Sequence, residues 1–177
     1  MIPRALLLPG FGGGADQPIL LALDAALAER GIASVRAALT RGRPSPGLEA
    51  EVQQARELLD AHPTLEAYAG RSFGGRVLAR LALQLRPRAL VLLGFPLRSA
   101  SGQRRRDDED VLLLLDCPTL VVQGARDPLG PVRAIERLAA RNPRLELEVV
   151  AGAAHGYGRA SARAVRTAAD WLARQLG

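Results

Sequence analysis

Strand-length runs alternate with helix-length stretches along the whole 177-residue sequence, and this alternation narrows the possible folds more than any other feature. The strand-like runs are 4–8, 33–37, 65–69, 89–93, 119–123 and 145–150. Ala89-Leu90-Val91-Leu92-Leu93 has no polar residue, the pattern of a strand covered on both faces. Helical spacing marks 17–30, where Ile19, Leu20, Leu23 and Leu27 share a face and Gly31 stops the helix. It also marks 48–61, 75–85, 132–141 and 161–175, with a short helix expected over 110–115. Helices of this length between strands imply right-handed crossovers and parallel neighbours. The expected fold class is α/β: a three-layer α/β/α sandwich around a six-stranded, mainly parallel sheet, in one domain over residues 1–177.

Within that frame, Gly70-Arg71-Ser72-Phe73-Gly74-Gly75 lies where the third strand runs into the following helix. A strand that reverses sharply into a helix strains the residue at the turn and lifts its side chain above the sheet edge. Glycines on either side are needed because side chains there would collide with the incoming strand and helix. Gly-x-Ser-x-Gly in this setting makes Ser72 a candidate nucleophile.

A serine hydroxyl is a poor nucleophile until a base takes its proton, so a partner is required. In a parallel sheet, reactive groups gather at the carboxyl ends of the strands, and that rule selects among the candidates. His62 precedes the third strand and falls on the opposite edge. His155 follows the sixth strand in Gly152-Ala153-Ala154-His155-Gly156, on the same edge as Ser72. Among the acids, Asp116 enters a strand, whereas Asp127 follows the exit of the fifth strand in Gly124-Ala125-Arg126-Asp127-Pro128. Asp107, Asp108 and Asp110, in the loop after the fourth strand, remain competitors for its place. The set Ser72, Asp127 and His155 would act as nucleophile, orienting acid and general base. A tetrahedral intermediate also needs two fixed donors, and the backbone N–H groups of Phe73 and Phe11 are the candidates. Phe11 lies in the glycine-rich loop Pro9-Gly10-Phe11-Gly12-Gly13-Gly14, where Gly10 and Gly12 allow close approach of a substrate. Arg71 and Arg98 are candidates for the mouth of the pocket. This chemistry requires neither metal nor cofactor.

Charge raises a different possibility. The chain carries a formal net charge of +6, with 24 basic residues, all arginine. They are spread along the chain, and the one run, Arg104-Arg105-Arg106, is followed at once by Asp107-Asp108-Glu109-Asp110. Aromatic residues make up 3%, too few for base-stacking platforms, so no nucleic-acid partner is expected. No apolar run approaches the ~20 residues needed to cross a bilayer, and the apolar N-terminus is short and passes straight into a glycine-rich loop. No membrane association and a cytoplasmic location are therefore expected. Cys117 is the one cysteine, so no internal disulfide forms.

Five segments resemble the α/β-hydrolase superfamily: Leu8-Pro9-Gly10-Phe11-Gly12, the run from Gly70 to Gly75, Gly94-Phe95-Pro96-Leu97, the run from Pro118 to Asp127, and Gly152-Ala153-Ala154-His155. They cover almost the whole chain in the order Ser, Asp, His. The chain looks like a small member without a cap domain, similar to dienelactone-hydrolase-like proteins and to the compact family of testis-expressed and KANSL-type proteins. The resemblance implies an α/β-hydrolase core without a cap and a serine esterase or thioesterase taking small-molecule substrates with short acyl groups. A His-Gly pair is usual at the first loop of such proteins, and here Pro9 stands in its first position.

Two other readings compete. Gly10-x-Gly12-x-x-Ala15 partly matches a dinucleotide fingerprint, but the second strand ends without the acid that binds ribose, and no Gly-Lys-Ser/Thr loop exists. A non-catalytic interaction protein on the same scaffold would not need the complete Ser72, Asp127 and His155 set.

Overall fold

The computed structural model describes every residue except Met1 and Arg41, so the first residue and one residue of the expected 40–47 loop lie outside the described residues. Strands and helices alternate: β1 (Pro3–Leu8), α1 (Pro18–Ala28), β2 (Ala33–Arg36), α2 (Glu49–Ala61), β3 (Ala67–Arg71), α3 (Phe73–Leu85), β4 (Ala89–Leu93), α4 (Arg106–Leu114), β5 (Thr119–Gly124), α5 (Val132–Ala139), β6 (Leu145–Val150) and α6 (Ser161–Leu176). A 3-10 turn at Gly158–Ala160 leads into α6. The strands form one parallel sheet in the order β2-β1-β3-β4-β5-β6.

The order explains the layers. From β1 the chain steps one way to β2, then passes back over β1 to β3 and continues in that direction to β6. Right-handed crossovers in opposite directions put their helices on opposite faces. Accordingly α1 shares one face with α6, while α2, α3, α4 and α5 cover the other. The direction reverses between β1 and β3, and the carboxyl ends of those two strands form the crevice where open α/β sheets bind ligands.

The pleat accounts for the apolar runs. In β1, Leu6 and Leu8 enter the core beneath the four helices, and Ala5 and Leu7 enter the core beneath α1 and α6. β4 divides likewise, with Leu90 and Leu92 on one side and Ala89, Val91 and Leu93 on the other. Each of these is fully buried. Every such leucine contributes roughly 1.5–3 kcal/mol of hydrophobic stabilisation.

The elements differ from the expected bounds in ways that bear on the site. The third strand runs on to Arg71 and its helix starts at Phe73, so strand and helix are separated by Ser72 alone. α4 starts at Arg106, four residues before the expected 110. Its first turn carries Asp107, Asp108 and Glu109, which suit the positive end of a helix, and Asp108 is buried against α3. Among the described residues, no helix is long and apolar enough to cross a membrane. Among the described residues, no cap is inserted over the carboxyl edge of the sheet.

Candidate active site

The turn at Ser72 is as tight as its glycines require. Ser72 has φ +46° and ψ −105°, a strained conformation for a residue with a side chain. A Cβ on Gly70 would lie 2.5 Å from Gly75 Cα, and one on Gly74 would lie 2.5 Å from the Pro9 carbonyl oxygen. Neither obstacle is a movable side chain. The Ser72 N–H donates to the Leu93 carbonyl at 2.9 Å, which fixes the turn to the end of β4.

The structure brings Ser72, His155 and Asp127 into one hydrogen-bonded chain. Ser72 Oγ lies 3.0 Å from His155 Nε2, and His155 Nδ1 lies 2.8 Å from Asp127 Oδ2. The Asp127 side chain is fully buried. Its Oδ1 accepts from the Leu129 N–H at 2.9 Å, and its Oδ2 also accepts from Gln123 Nε2 at 2.7 Å. With a carboxylate facing Nδ1, the ring carries its proton there and presents a lone pair at Nε2 to the serine hydroxyl.

The other candidate acids lie elsewhere. Asp108 is fully buried, accepting from Arg76 Nε at 2.7 Å and from Arg80 Nη1 at 2.6 Å. Asp107 pairs with Arg80, and Asp110 is exposed on α4. Among the described residues, none of the three bonds to His155. His62 follows the last turn of α2, at the opposite edge of the sheet. Cys117 is buried just before β5, and burial pushes its thiol up.

Arg71 needs correction. Rather than standing at the mouth of the pocket, its side chain is buried beneath the histidine loop. Nη2 donates to the His155 carbonyl at 2.5 Å, Nη1 donates to the Leu93 carbonyl at 3.1 Å, and Nη1 lies 3.4 Å from His155 Nε2. The guanidinium sits 5.6 Å from the centre of the Tyr157 ring. Burial lowers its pKa from the usual arginine value, against the upward pull of Tyr157 and Asp127. Tyr157 is itself buried, with its hydroxyl donating to the Val122 carbonyl at 2.5 Å. No local sequence pattern marks this burial, because the partners of Arg71 are carbonyls about twenty and eighty residues away.

Gln123 was missed. It is fully buried near the end of β5, accepts from the Phe95 N–H at 2.9 Å, and donates from Nε2 to Asp127 and to the Gly130 carbonyl at 3.0 Å. The available signal was an amide closing the otherwise apolar Leu120-Val121-Val122 stretch at the active edge.

The loop after β1 is held by backbone and by one side chain. Gly10 N–H donates to Gln17 Oε1 and Gly74 N–H donates to the Pro9 carbonyl, both at 3.0 Å. Phe11 is 67% exposed and meets Phe73 edge to face, ring centres 5.6 Å apart. The Phe73 N–H is at the first position of α3, where a helix offers no intrahelical acceptor. Neither it nor the Phe11 N–H has an acceptor among the described residues.

Ser72, Phe11, Phe73 and Arg98 line a cleft of about 460 Å³. Gly10 and Gly12 line an adjoining cavity of about 270 Å³, which shares Phe11 and Phe73. Apolar walls, a hydroxyl bonded to an imidazole and two free N–H groups suit acyl transfer.

Comparison with solved structures supports the same fold. Est1E from Butyrivibrio proteoclasticus aligns over 98% of this chain and 88% of its own, with a TM-score of 0.81 at 19% identity. An α/β serine hydrolase without lid from Xanthomonas campestris aligns over 99% and 84%, with a TM-score of 0.75 at 23% identity. Dienelactone hydrolase from Anabaena variabilis aligns over 96% and 85%, with a TM-score of 0.74 at 20% identity. No curated protein sequence matches significantly. Residues 3–175 match the family described as the alpha/beta hydrolase domain, and the chain belongs to that family.

Proposed function

We propose that this protein is a serine hydrolase that cleaves short-chain esters or thioesters through an acyl-enzyme. The observation that carries the reading is the bonded chain from Ser72 Oγ through His155 to the buried Asp127, set on a strained turn at the sheet's switch point.

In this mechanism Ser72 Oγ attacks the acyl carbon while its proton passes to His155 Nε2. The carbonyl π electrons move to oxygen, and the Phe11 and Phe73 N–H groups receive the oxyanion. Each such donor is worth about 10²- to 10³-fold in kcat. Asp127 keeps the ring in its Nδ1–H tautomer and stabilises the imidazolium. When the intermediate collapses, the alcohol or thiol leaves with the proton from Nε2. Water then attacks the acyl-enzyme under the same base and releases the acid. With no cap to lengthen it, the open cleft fits a short acyl group.

The test is labelling by a fluorophosphonate. The wild type is expected to label, and Ser72→Ala is expected not to. Equal labelling of the two, or none of a folded wild type, would refute the proposal. Hydrolysis of 4-nitrophenyl acetate that disappears in His155→Ala separates this function from a non-catalytic use of the scaffold.

A further inference from the structure

Three arginines stand at the Ser72 cleft, one from α3 and two from the segment after β4. Arg76, Arg98 and Arg105 all line the cleft. The segment is fixed by backbone bonds: Leu97 and Arg98 N–H both donate to the Leu129 carbonyl at 2.8 Å, Arg105 N–H donates to the Leu97 carbonyl at 2.8 Å, and Arg98 bridges Arg104. Arg98 and Arg105 therefore stand on an anchored segment, and Arg76 on α3.

The neighbouring carboxylates are engaged elsewhere. Asp108 is shared by Arg76 and Arg80, Asp107 pairs with Arg80, and Glu109 pairs with Arg104. Glu51, in the adjoining cavity, takes the Ser45 N–H at 3.0 Å and the Ser45 hydroxyl at 2.6 Å. No carboxylate or other acceptor among the described residues pairs with the side chains of Arg98 or Arg105. Arg105 Nε is sheltered from water with no partner, the one such side-chain atom among the described residues. In structures where nearly every sheltered polar atom is satisfied, an exception of this kind calls for an explanation. The field is consistent with it. Burial lowers the pKa of Arg76, Asp108 raises it, and the charge of Arg105 lowers it again, so Arg105 stands close enough to Arg76 for the two charges to repel.

We infer that the substrate bears an anionic group, a carboxylate or a phosphate, that Arg98 and Arg105 hold at the cleft while its acyl carbon lies at Ser72. This deepens the hydrolase reading and rests on it. Guanidinium groups take either oxyanion with two parallel N–H bonds, and apolar Phe11, Pro96 and Leu129 leave room for a short aliphatic spacer.

The experiment compares mono-4-nitrophenyl glutarate with 4-nitrophenyl pentanoate, which have equal chain length and differ in the terminal carboxylate. The wild type is expected to favour the glutarate half-ester in kcat/KM by about tenfold or more, the size of one charge-assisted bond in a sheltered site. Arg105→Gln and, on an exposed residue that keeps the fold, Arg98→Gln are expected to lower that preference by about tenfold. Arg133→Gln removes the same charge from the exposed face of α5 and is expected to leave the preference within about twofold. No preference in the wild type, or an equal fall in Arg133→Gln, overturns the inference. If neither ester is cleaved, the hydrolase reading fails on its own. Calorimetric titration of the Ser72→Ala protein with glutarate and with glycerol phosphate then decides the anion site. Binding that Arg105→Gln removes supports it and identifies the oxyanion. Absence of binding to either refutes it.

Discussion

Gln123→Met tests whether a single amide ties the acid of the site to the fold. The substitution keeps length and volume and removes three bonds at once: the Phe95 N–H loses its acceptor, the Gly130 carbonyl loses its donor, and Asp127 loses one of its donors. Phe95, Asp127 and Gly130 are all buried, so water does not replace what is lost. A buried neutral group left unsatisfied costs about 1–3 kcal/mol, and a bond to a charged group is worth about 1.5–3 kcal/mol. The methionine regains some apolar burial, which leaves a net loss of roughly 3–5 kcal/mol. Against the ~5–15 kcal/mol that holds a domain together, this is a large share, and it lowers Tm by roughly 6–20 °C for a chain of this size. Urea unfolding and a thermal melt measure it directly. Activity is expected to fall alongside, because Asp127 then rests on the Leu129 N–H and His155 alone. A Gln123→Met protein within about 1 kcal/mol of wild type would refute the assignment of these bonds as net stabilising.

Three further outcomes are expected. Arg71→Lys keeps a charge but loses the planar fork that joins the Leu93 and His155 carbonyls; kcat is expected to fall by about 10²-fold with KM little changed, since Arg71 positions His155 and does not line the cleft. Asp108→Asn removes the fully buried carboxylate shared by Arg76 and Arg80, and thermal unfolding is expected to show a loss of about 3–5 kcal/mol. For Glu51, burial raises the carboxyl pKa but the bonds from Ser45 outweigh it, so the group titrates below its ordinary value of 4.5. Its contribution is then present above that value and lost as the pH falls through the lower folded one. The unfolding free energies of wild type and Glu51→Gln are accordingly expected to converge below pH ~4.5.

How much of this was legible in the sequence depended on whether the cause was local. The strands were readable because a sheet covered on both faces makes runs such as Ala89-Leu90-Val91-Leu92-Leu93 apolar throughout, and the edge rule applied to those strands chose His155 over His62 and Asp127 over Asp116. Asp108 shows the opposite case. It lies inside the charged run Arg104-Arg105-Arg106-Asp107-Asp108-Glu109-Asp110, yet it is buried because Arg76 and Arg80, some thirty residues earlier on α3, meet it there. The same pairing holds the first turn of α4, which is why that helix begins ahead of its apolar residues. Arg71 was hidden for a related reason: carbonyl acceptors belong to every residue and mark none.

The bond from Gly74 N–H to the Pro9 carbonyl joins the start of α3 to the loop after β1 without any side chain. Position 74 is thereby closed to variation, since a methyl group there meets the Pro9 carbonyl. Positions 11 and 73 take no part in that bond, and their side chains face the cavities. Exchanging Phe11 or Phe73 is thus expected to reshape the cleft while the turn at Ser72 is kept. Proline at position 9 is compatible with the bond, for the atom it requires is one that every amino acid supplies.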